Sequence, residues 1–89
     1  MGRYAVEFSP QASRQLRKME SAACRRLALA IDSLAQDPRK PGAVALSGAD
    51  DLHRLRVGTY RIIFTIEGDR LVVLVVKIGH RREVYREPQ

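Results

Sequence analysis

The sequence contains one cysteine, no tryptophan and only three lysines. Cys24 alone cannot form an internal disulfide or supply a multi-cysteine metal site. No segment approaches the roughly 18 consecutive apolar residues of a membrane span, and the opening residues lack the apolar run of a signal peptide. We therefore expect a cytoplasmic protein that does not enter a membrane. The length of 89 residues allows one modest core, so residues 1–89 are predicted to form a single domain.

Arginine supplies most of the charge. Sixteen Lys and Arg residues stand against ten Asp and Glu, a formal net charge of +6. The guanidinium group of arginine donates two parallel hydrogen bonds to a phosphate, whereas the lysine ammonium group acts as a point charge. A basic balance on so small a chain indicates a polyanionic partner. Composition leaves open whether that partner is a nucleic acid or an acidic protein segment.

The first half of the chain predicts a strand and a helical hairpin. Residues Arg3–Phe8 alternate between apolar and other side chains, as in a half-buried strand. Ser9–Pro10 is a typical helix start, and that helix should run to about Lys18. Ser21 can cap a second helix, which Asp37–Pro38 ends because the residue before proline avoids helical conformation.

The second half predicts a loop at Arg39–Asp51 and then three strands at Leu52–Val57, Tyr60–Glu67 and Leu71–Ile78. Gly58 turns the first strand into the second. Gly68–Asp69 suits a two-residue hairpin loop with a positive φ at the glycine. The last strand is almost entirely apolar, so we expect it to be central and covered on both faces. This order predicts an α+β fold: an N-terminal strand, a helical hairpin, then a three- to four-stranded, mainly antiparallel sheet with the helices on one face.

Period-two alternation places several arginines on the sheet face that the helices leave open. In Tyr60–Glu67 the even-numbered residues are apolar and should face the helices, so Arg61 lies on the opposite face. If Leu55 packs inward, Arg54 and Arg56 project beside Arg61. A solvated sheet face is the plain alternative for such residues. From the residues alone, the pattern predicts a basic sheet protein that binds RNA.

Two chemically versatile residues are interpreted as structural. His53 is two residues before Leu55 in the same predicted strand, so both side chains should face the same way, and His53 is expected to pack inward. Cys24 lies in the second helix with no histidine beside it in sequence, which favours a partly buried thiol over a nucleophile. The charged segment His80–Arg86 follows the last strand and can fold over the same end of the sheet as the arginines.

Two segments carry a resemblance to a known family: LHRLRVGTYRIIF at residues 52–64 and IGHRREVY at residues 78–85. With YAVEFSP at residues 4–10 and DPR at residues 37–39, they resemble the RelE/ParE toxin superfamily over nearly the whole chain. The resemblance implies a RelE-like fold. It also implies a toxin of a bacterial or archaeal type II toxin–antitoxin pair, with a cognate antitoxin protein as its partner.

RelE-like members act on the ribosome with its mRNA, so the resemblance implies an endoribonuclease that cleaves messenger RNA in the A site. The 2′-hydroxyl attacks the adjacent phosphate, without a metal or any other cofactor. Carried over by position, the catalytic residues are Arg61, Arg81 and Tyr85, and His80 is added to them as a candidate general base. The residues implied to bind RNA phosphates are Arg54, Arg56, Lys77 and Arg82.

The sequence does not decide which residue is the general base or which molecule is the target. The best-known RelE pattern carries lysines where this chain has Arg54 and Arg56, and arginine stays charged in proteins and does not exchange protons. His80 is the candidate substitute because imidazole titrates near neutrality; the alternative for His80 is a turn residue that caps the strand. Two other functions compete with the nuclease: ParE-like inhibition of DNA gyrase, and a non-catalytic module that binds an antitoxin.

Overall fold

In the described part of the chain, one strand is followed by two helices and then by four further strands. The computed structural model describes residues 3–46 and 52–80, with only the backbone at residue 80. The elements are β1 (Ala5–Phe8), α1 (Pro10–Arg17), α2 (Ser21–Gln36), β2 (Ala43–Ala45), β3 (Leu52–Val57), β4 (Tyr60–Glu67) and β5 (Val72–His80). The predicted α+β architecture is confirmed, with β3 and β4 at their predicted bounds.

The strands form one sheet in the order β1-β5-β4-β3-β2. β1 pairs in parallel with β5, and the other three neighbouring pairs are antiparallel. Two details of the sheet differ from the prediction. Ala43–Ala45 pairs with β3 inside the predicted loop, because so short a strand has no alternation to detect. Four described strands therefore follow the helical hairpin, within the predicted three to four, and β1 makes the fifth strand of the sheet. The central strand is β4, since β5 also receives β1 on its far side.

The hydrophobic core lies between the helices and one face of the sheet. α2 contributes Leu27 and Leu34, which are fully buried, and α1 contributes Ala12. The sheet contributes Leu55, Ile62, Phe64, Ile66, Val73, Val75 and Ile78. In β4 the buried apolar residues are the even-numbered ones, so the predicted alternation is confirmed.

The helix ends follow local chemistry. The Ser9 side-chain oxygen accepts the Ala12 amide at 3.0 Å and caps α1, with Pro10 next in the chain. At α2 the prediction is off by one residue: the cap position is Glu20, and Ser21 is already helical. Asp37 ends α2 before Pro38, as predicted. Neither described helix is long and apolar enough to span a membrane.

A bulge interrupts the pairing of β4 with β5. Ile63 lies opposite Lys77, but the next residue, Phe64, lies opposite Val75, so Val76 is the extra residue. α1 covers the β5 edge at this point, because β1 has ended at the pair Phe8–Val75. The Ser9 hydroxyl donates to the Val76 carbonyl at 2.5 Å.

The two turns of the β3-β4-β5 meander differ in conformation. Gly58 has φ +61° between β3 and β4, a conformation that glycine adopts without a steric penalty. Between β4 and β5 the prediction is wrong in both length and position. The loop comprises residues 68–71, and the positive φ of 54° occurs at Leu71 rather than at Gly68.

Candidate nucleic-acid interface

The sheet face turned away from the helices carries a cluster of basic residues. In the register of the sheet, Arg54, Ile63 and Lys77 form one row across β3, β4 and β5. The next row consists of Arg56, Arg61 and Gly79. Residues that are direct partners across strands project to the same face. We call Arg54, Arg56, Arg61 and Lys77 the basic face.

Lys77 belongs to the basic face because of the bulge. Strict alternation along β5 would give Lys77 the same side as Val73 and Val75, which are fully buried in the core. The extra residue Val76 reverses the alternation, so Lys77 joins Ile63 on the outer face while Ile78 faces inward opposite Ile62. A one-residue insertion therefore puts a cation where the sequence pattern alone would put a core side chain.

The burial of Arg61 differs from the prediction that all three arginines project from the open face of the sheet. It shares a face with Arg56, as predicted, but its relative exposure is only 2%. Arg56 is exposed and Arg54 is half-buried. Ile63, on the same face of β4, is half-buried, so the enclosure is specific to Arg61 within this strand. The basic face therefore combines one enclosed guanidinium with cations nearer the surface.

The C-terminal part of the predicted site is described only at its start. β5 ends at His80, whose backbone lies opposite Tyr60 and next to the Arg61–Gly79 pair. The predicted residues Arg81, Arg82 and Tyr85 lie outside the described residues. Their roles, and that of His80, stay predictions.

The structural interpretation of His53 and Cys24 is supported by their contacts. The His53 ring stacks on Phe64 with a centroid distance of 5.5 Å and an interplanar angle of 21°. Cys24 is partly buried, and its thiol donates to the Leu16 carbonyl at 3.2 Å. Both residues therefore belong to the packing on the helix side of the sheet.

Arg26 is a neighbour of the site that the sequence analysis missed. Its guanidinium lies against Gly58 in the β3–β4 turn: a Cβ atom built on that glycine would come within 2.6 Å of Arg26 Nη2. The turn follows Arg56 by two residues and precedes Arg61 by three. No sequence signal marks this proximity, because Arg26 and Gly58 belong to different elements that are far apart in the chain.

A groove on the helix side of the sheet is separate from the basic face. It has a volume of about 580 Å³ and lies between β1 and α2, with Val6, Phe8, Leu16 and Ile31 among its lining residues. Its lining is mainly apolar, so it suits burial of hydrophobic side chains rather than phosphate chemistry.

Known proteins share both the sequence pattern and the fold. The family model described as the ParE toxin of the type II toxin–antitoxin system parDE matches residues 6–85. The chain belongs to the RelE/ParE toxin superfamily. Among curated relatives in this superfamily, the mRNA interferase toxin RelE of Escherichia coli K12 is 30% identical over 88 residues, covering 94% of this chain and 92% of RelE.

Further RelE/ParE relatives support the same assignment. Toxin RelG of Mycobacterium tuberculosis is 26% identical over 84 residues, covering 93% of this chain and 97% of RelG. Among solved structures, the archaeal RelE–RelB complex of Pyrococcus horikoshii contains a chain that superposes with a TM-score of 0.76 at 29% identity. That alignment covers 91% of this chain and 97% of the other.

Proposed function

We propose that this RelE/ParE-family chain is a toxin that cleaves messenger RNA on the ribosome. The basic face is the observation that carries this proposal: it gathers four cations from three adjacent strands beside the end of β5. The relative named an mRNA interferase, at 30% identity over nearly the full length of both chains, supports the same activity.

The enclosed and exposed cations suit different tasks. A buried guanidinium that is held in place can stabilise the extra negative charge of a pentacovalent phosphate without reorganising, and we assign this task to Arg61. The family resemblance assigns Arg81 to the same task. Cations nearer the surface can contact flanking phosphates and set the register of the RNA. We assign that second task to Arg54, Arg56 and Lys77 of the basic face, and to Arg82 on the family resemblance.

The chemical step requires two proton transfers. A base removes the proton of the 2′-hydroxyl as its oxygen attacks the adjacent phosphorus. The bond from phosphorus to the 5′-oxygen then breaks, and that oxygen takes up a proton, leaving a cyclic phosphate and a free 5′-hydroxyl. We propose His80 as the base, and Tyr85 as a residue that stacks on the exposed nucleobase or moves a proton.

The test is to add the purified chain to a translation extract and map new 5′ ends on a reporter mRNA. Wild type is compared with Arg81→Ala, Tyr85→Phe and Arg56→Gln, with naked mRNA as a substrate control. Arg70→Gln removes the same charge as Arg56→Gln but lies beyond the other end of β4, where it pairs with Glu7 and Glu67. We expect ribosome-dependent cuts that fade in the first three variants and persist in Arg70→Gln. Cuts of equal strength in all samples would contradict the assignment.

We also propose that a cognate antitoxin neutralises the chain by laying an acidic segment over the basic face. RelE–RelB complexes among the structural neighbours support such a partner. Because Arg61 is enclosed, the acidic segment would contact Arg54, Arg56 and Lys77 rather than Arg61 itself. Charge reversal by Arg56→Glu should therefore weaken both ribosome binding and antitoxin binding. Anisotropy with a labelled antitoxin segment would measure the second effect, and unchanged antitoxin affinity would contradict this placement.

Inhibition of DNA gyrase is the second candidate function. Residues 6–85 match the family model of the ParE toxin, and this match favours gyrase inhibition. The two functions separate in a supercoiling assay with purified gyrase. The protein could inhibit supercoiling in this assay, arrest growth in cells and leave mRNA intact. That combination would support gyrase inhibition and contradict the proposed nuclease activity.

A further inference from the structure

β1 is the outermost strand on its side of the sheet in the described structure. Its odd-numbered residues bond toward β5: the Ala5 amide donates to the Leu71 carbonyl at 2.8 Å, and the Ser9 amide donates to the Val75 carbonyl at 2.9 Å. Backbone groups alternate in direction along a strand, so those of Val6 and Phe8 point away from β5. We call this open side of Ala5–Phe8 the β1 edge.

The β1 edge has few of the features that prevent another strand from pairing with an outermost strand. Natural edge strands are protected by charged side chains, prolines or bulges. Residues 5–8 contain one charged residue, Glu7, and no proline. Phe8 is a large hydrophobic residue with a relative exposure of 39%. The β1 edge can therefore accept another strand.

An apolar groove accompanies the β1 edge on the helix side of the sheet. The groove of about 580 Å³ between β1 and α2 includes Val6 and Phe8 in its lining. A strand that pairs with β1 places every second side chain on that side, so it needs apolar residues at alternate positions. β1 itself has this pattern, because Tyr4, Val6 and Phe8 alternate with other residues.

The charges around the β1 edge cancel, although the chain as a whole has a net charge of +6. Arg3 pairs with Asp32 at the groove, and Arg70 pairs with Glu7 at 3.6 Å. A polyanion gains little from a surface without net charge. Two copies of a basic chain repel each other least where their surfaces are neutral. These charges therefore favour a second copy of the chain as the partner.

Pairing about Val6 suits two antiparallel β1 strands. The two central hydrogen bonds then join Val6 to Val6 of the second copy, and Ala5 lies opposite Glu7. A pair centred on Ala5 would need the Tyr4 amide for its central bonds, but that amide already donates to the Ala35 carbonyl at 2.8 Å. A pair centred on Glu7 would put two carboxylates directly opposite each other, which is unfavourable.

We propose that two copies of the chain associate through their β1 edges, with Val6 paired to Val6, and form one continuous sheet with five strands from each copy. Phe8 then lies opposite Tyr4 of the second copy on the helix side, where the two rings cover the groove. Residues that are direct partners project to the same face, so both basic faces lie on one side of the joined sheet. They stay uncovered, because the basic face belongs to β3, β4 and β5.

Sedimentation equilibrium of the full-length chain, without RNA or antitoxin, tests this proposal over a range of protein concentrations. We expect wild type to form dimers as the concentration rises. Val6→Pro removes the outward-pointing amide and leaves the bonds of Ala5 and Ser9 toward β5, so it should abolish the dimer. Thermal melts of each variant report whether it is folded.

Ala45→Pro is the matched control at the other edge of the sheet. The Leu46 amide donates to the Leu52 carbonyl at 2.9 Å, so by alternation the Ala45 amide points away from β3. This variant loses the same kind of amide as Val6→Pro and should dimerise like wild type.

Charge at Ala5 tests the register without removing a backbone group. Ala5 is exposed and lies opposite Glu7 of the second copy in the proposed pairing. Ala5→Lys creates two pairs of opposite charge and should tighten the dimer roughly 2- to 30-fold, while Ala5→Glu should weaken it by a similar factor. If net charge alone governed association, the order would reverse, because an added lysine increases the repulsion between two basic chains.

Three results would overturn the proposal: a wild-type chain that is monomeric at every concentration, a folded Val6→Pro variant that dimerises like wild type, or the reversed order of the two Ala5 variants. Binding of a labelled antitoxin segment identifies the other candidate partner. If wild type is monomeric and Val6→Pro weakens that binding, the β1 edge belongs to the antitoxin. Association is measured without cleavage, so these results leave the nuclease proposal unaffected.

Discussion

Arg56 and Arg61 are direct partners across β3 and β4, yet Arg56 is exposed and Arg61 is 2% exposed. Two like charges directly opposite each other in a sheet are unfavourable. Their different burial separates a guanidinium that is enclosed by the fold from one that is exposed to solvent. The two positions should therefore respond differently to the same substitution.

We expect Arg61→Ala to lower the free energy of unfolding by about 2 kcal/mol or more, because it empties a large buried volume. Arg56→Ala should change it by less than about 0.5 kcal/mol. Urea denaturation of both variants measures the difference. Arg61→Met serves as the control, since it refills much of the volume without the charge and should recover stability but not cleavage. Equal destabilisation by the two alanine variants would contradict the assigned burial.

Gln15 should stabilise the fold through one hydrogen bond. Its Oε1 accepts the Ile78 amide at 2.7 Å, on the part of the β5 edge that β1 does not reach. Gln15→Leu leaves that amide without its acceptor and should cost about 1–3 kcal/mol. Gln11→Leu, at an exposed position of the same helix, should be close to neutral. The idea fails if the two variants unfold at the same denaturant concentration.

Ser9 makes two contacts that substitution can separate. Its oxygen caps α1 by accepting the Ala12 amide, and its hydroxyl donates to the Val76 carbonyl at the bulge. Ser9→Ala removes both and should cost about 1–2 kcal/mol. Ser9→Asp keeps the cap but cannot donate while ionised, so it should recover part of the stability. Ser13→Ala, inside α1, is the control and is expected to be neutral. Full recovery by aspartate would show that the bulge contact contributes nothing.

The glycines at the two hairpin turns should differ in their tolerance of a side chain. Gly58 has φ +61° and lies against Arg26, whereas a Cβ at Gly68 would meet no atom within 4 Å. Gly58→Ala should cost about 1–2 kcal/mol, mainly through the left-handed backbone, because the Arg26 side chain can move aside. Gly68→Ala should be neutral or slightly stabilising. Thermal melts of the two variants provide the comparison, and the reverse order would be incompatible with these turn conformations.

The sequence predicted those features that local patterns encode. The β3–β4 hairpin has its predicted bounds, because alternation on both sides of Gly58 leaves one register that buries Ile62 and Phe64 together. The same alternation placed His53 on the helix side, where it stacks on Phe64. The start of α1 at Pro10, after the Ser9 cap, and the end of α2 before Pro38 follow from the local chemistry of neighbouring residues.

Long-range contacts decided the rest. Alternation places Arg61 on the outer face but does not predict that it is buried, since Ile63, on the same face of the same strand, is only half-buried. The bulge that turns Lys77 to the outer face is accompanied by the bond from Ser9, 67 residues earlier in the chain than Val76. β2 needed β3 as its partner, and the approach of the Arg26 guanidinium to Gly58 joins two residues that are far apart in the chain. Periodicity reports which face of an element is apolar, but the packing of distant elements sets which polar residues on the other face are enclosed and which meet a ligand.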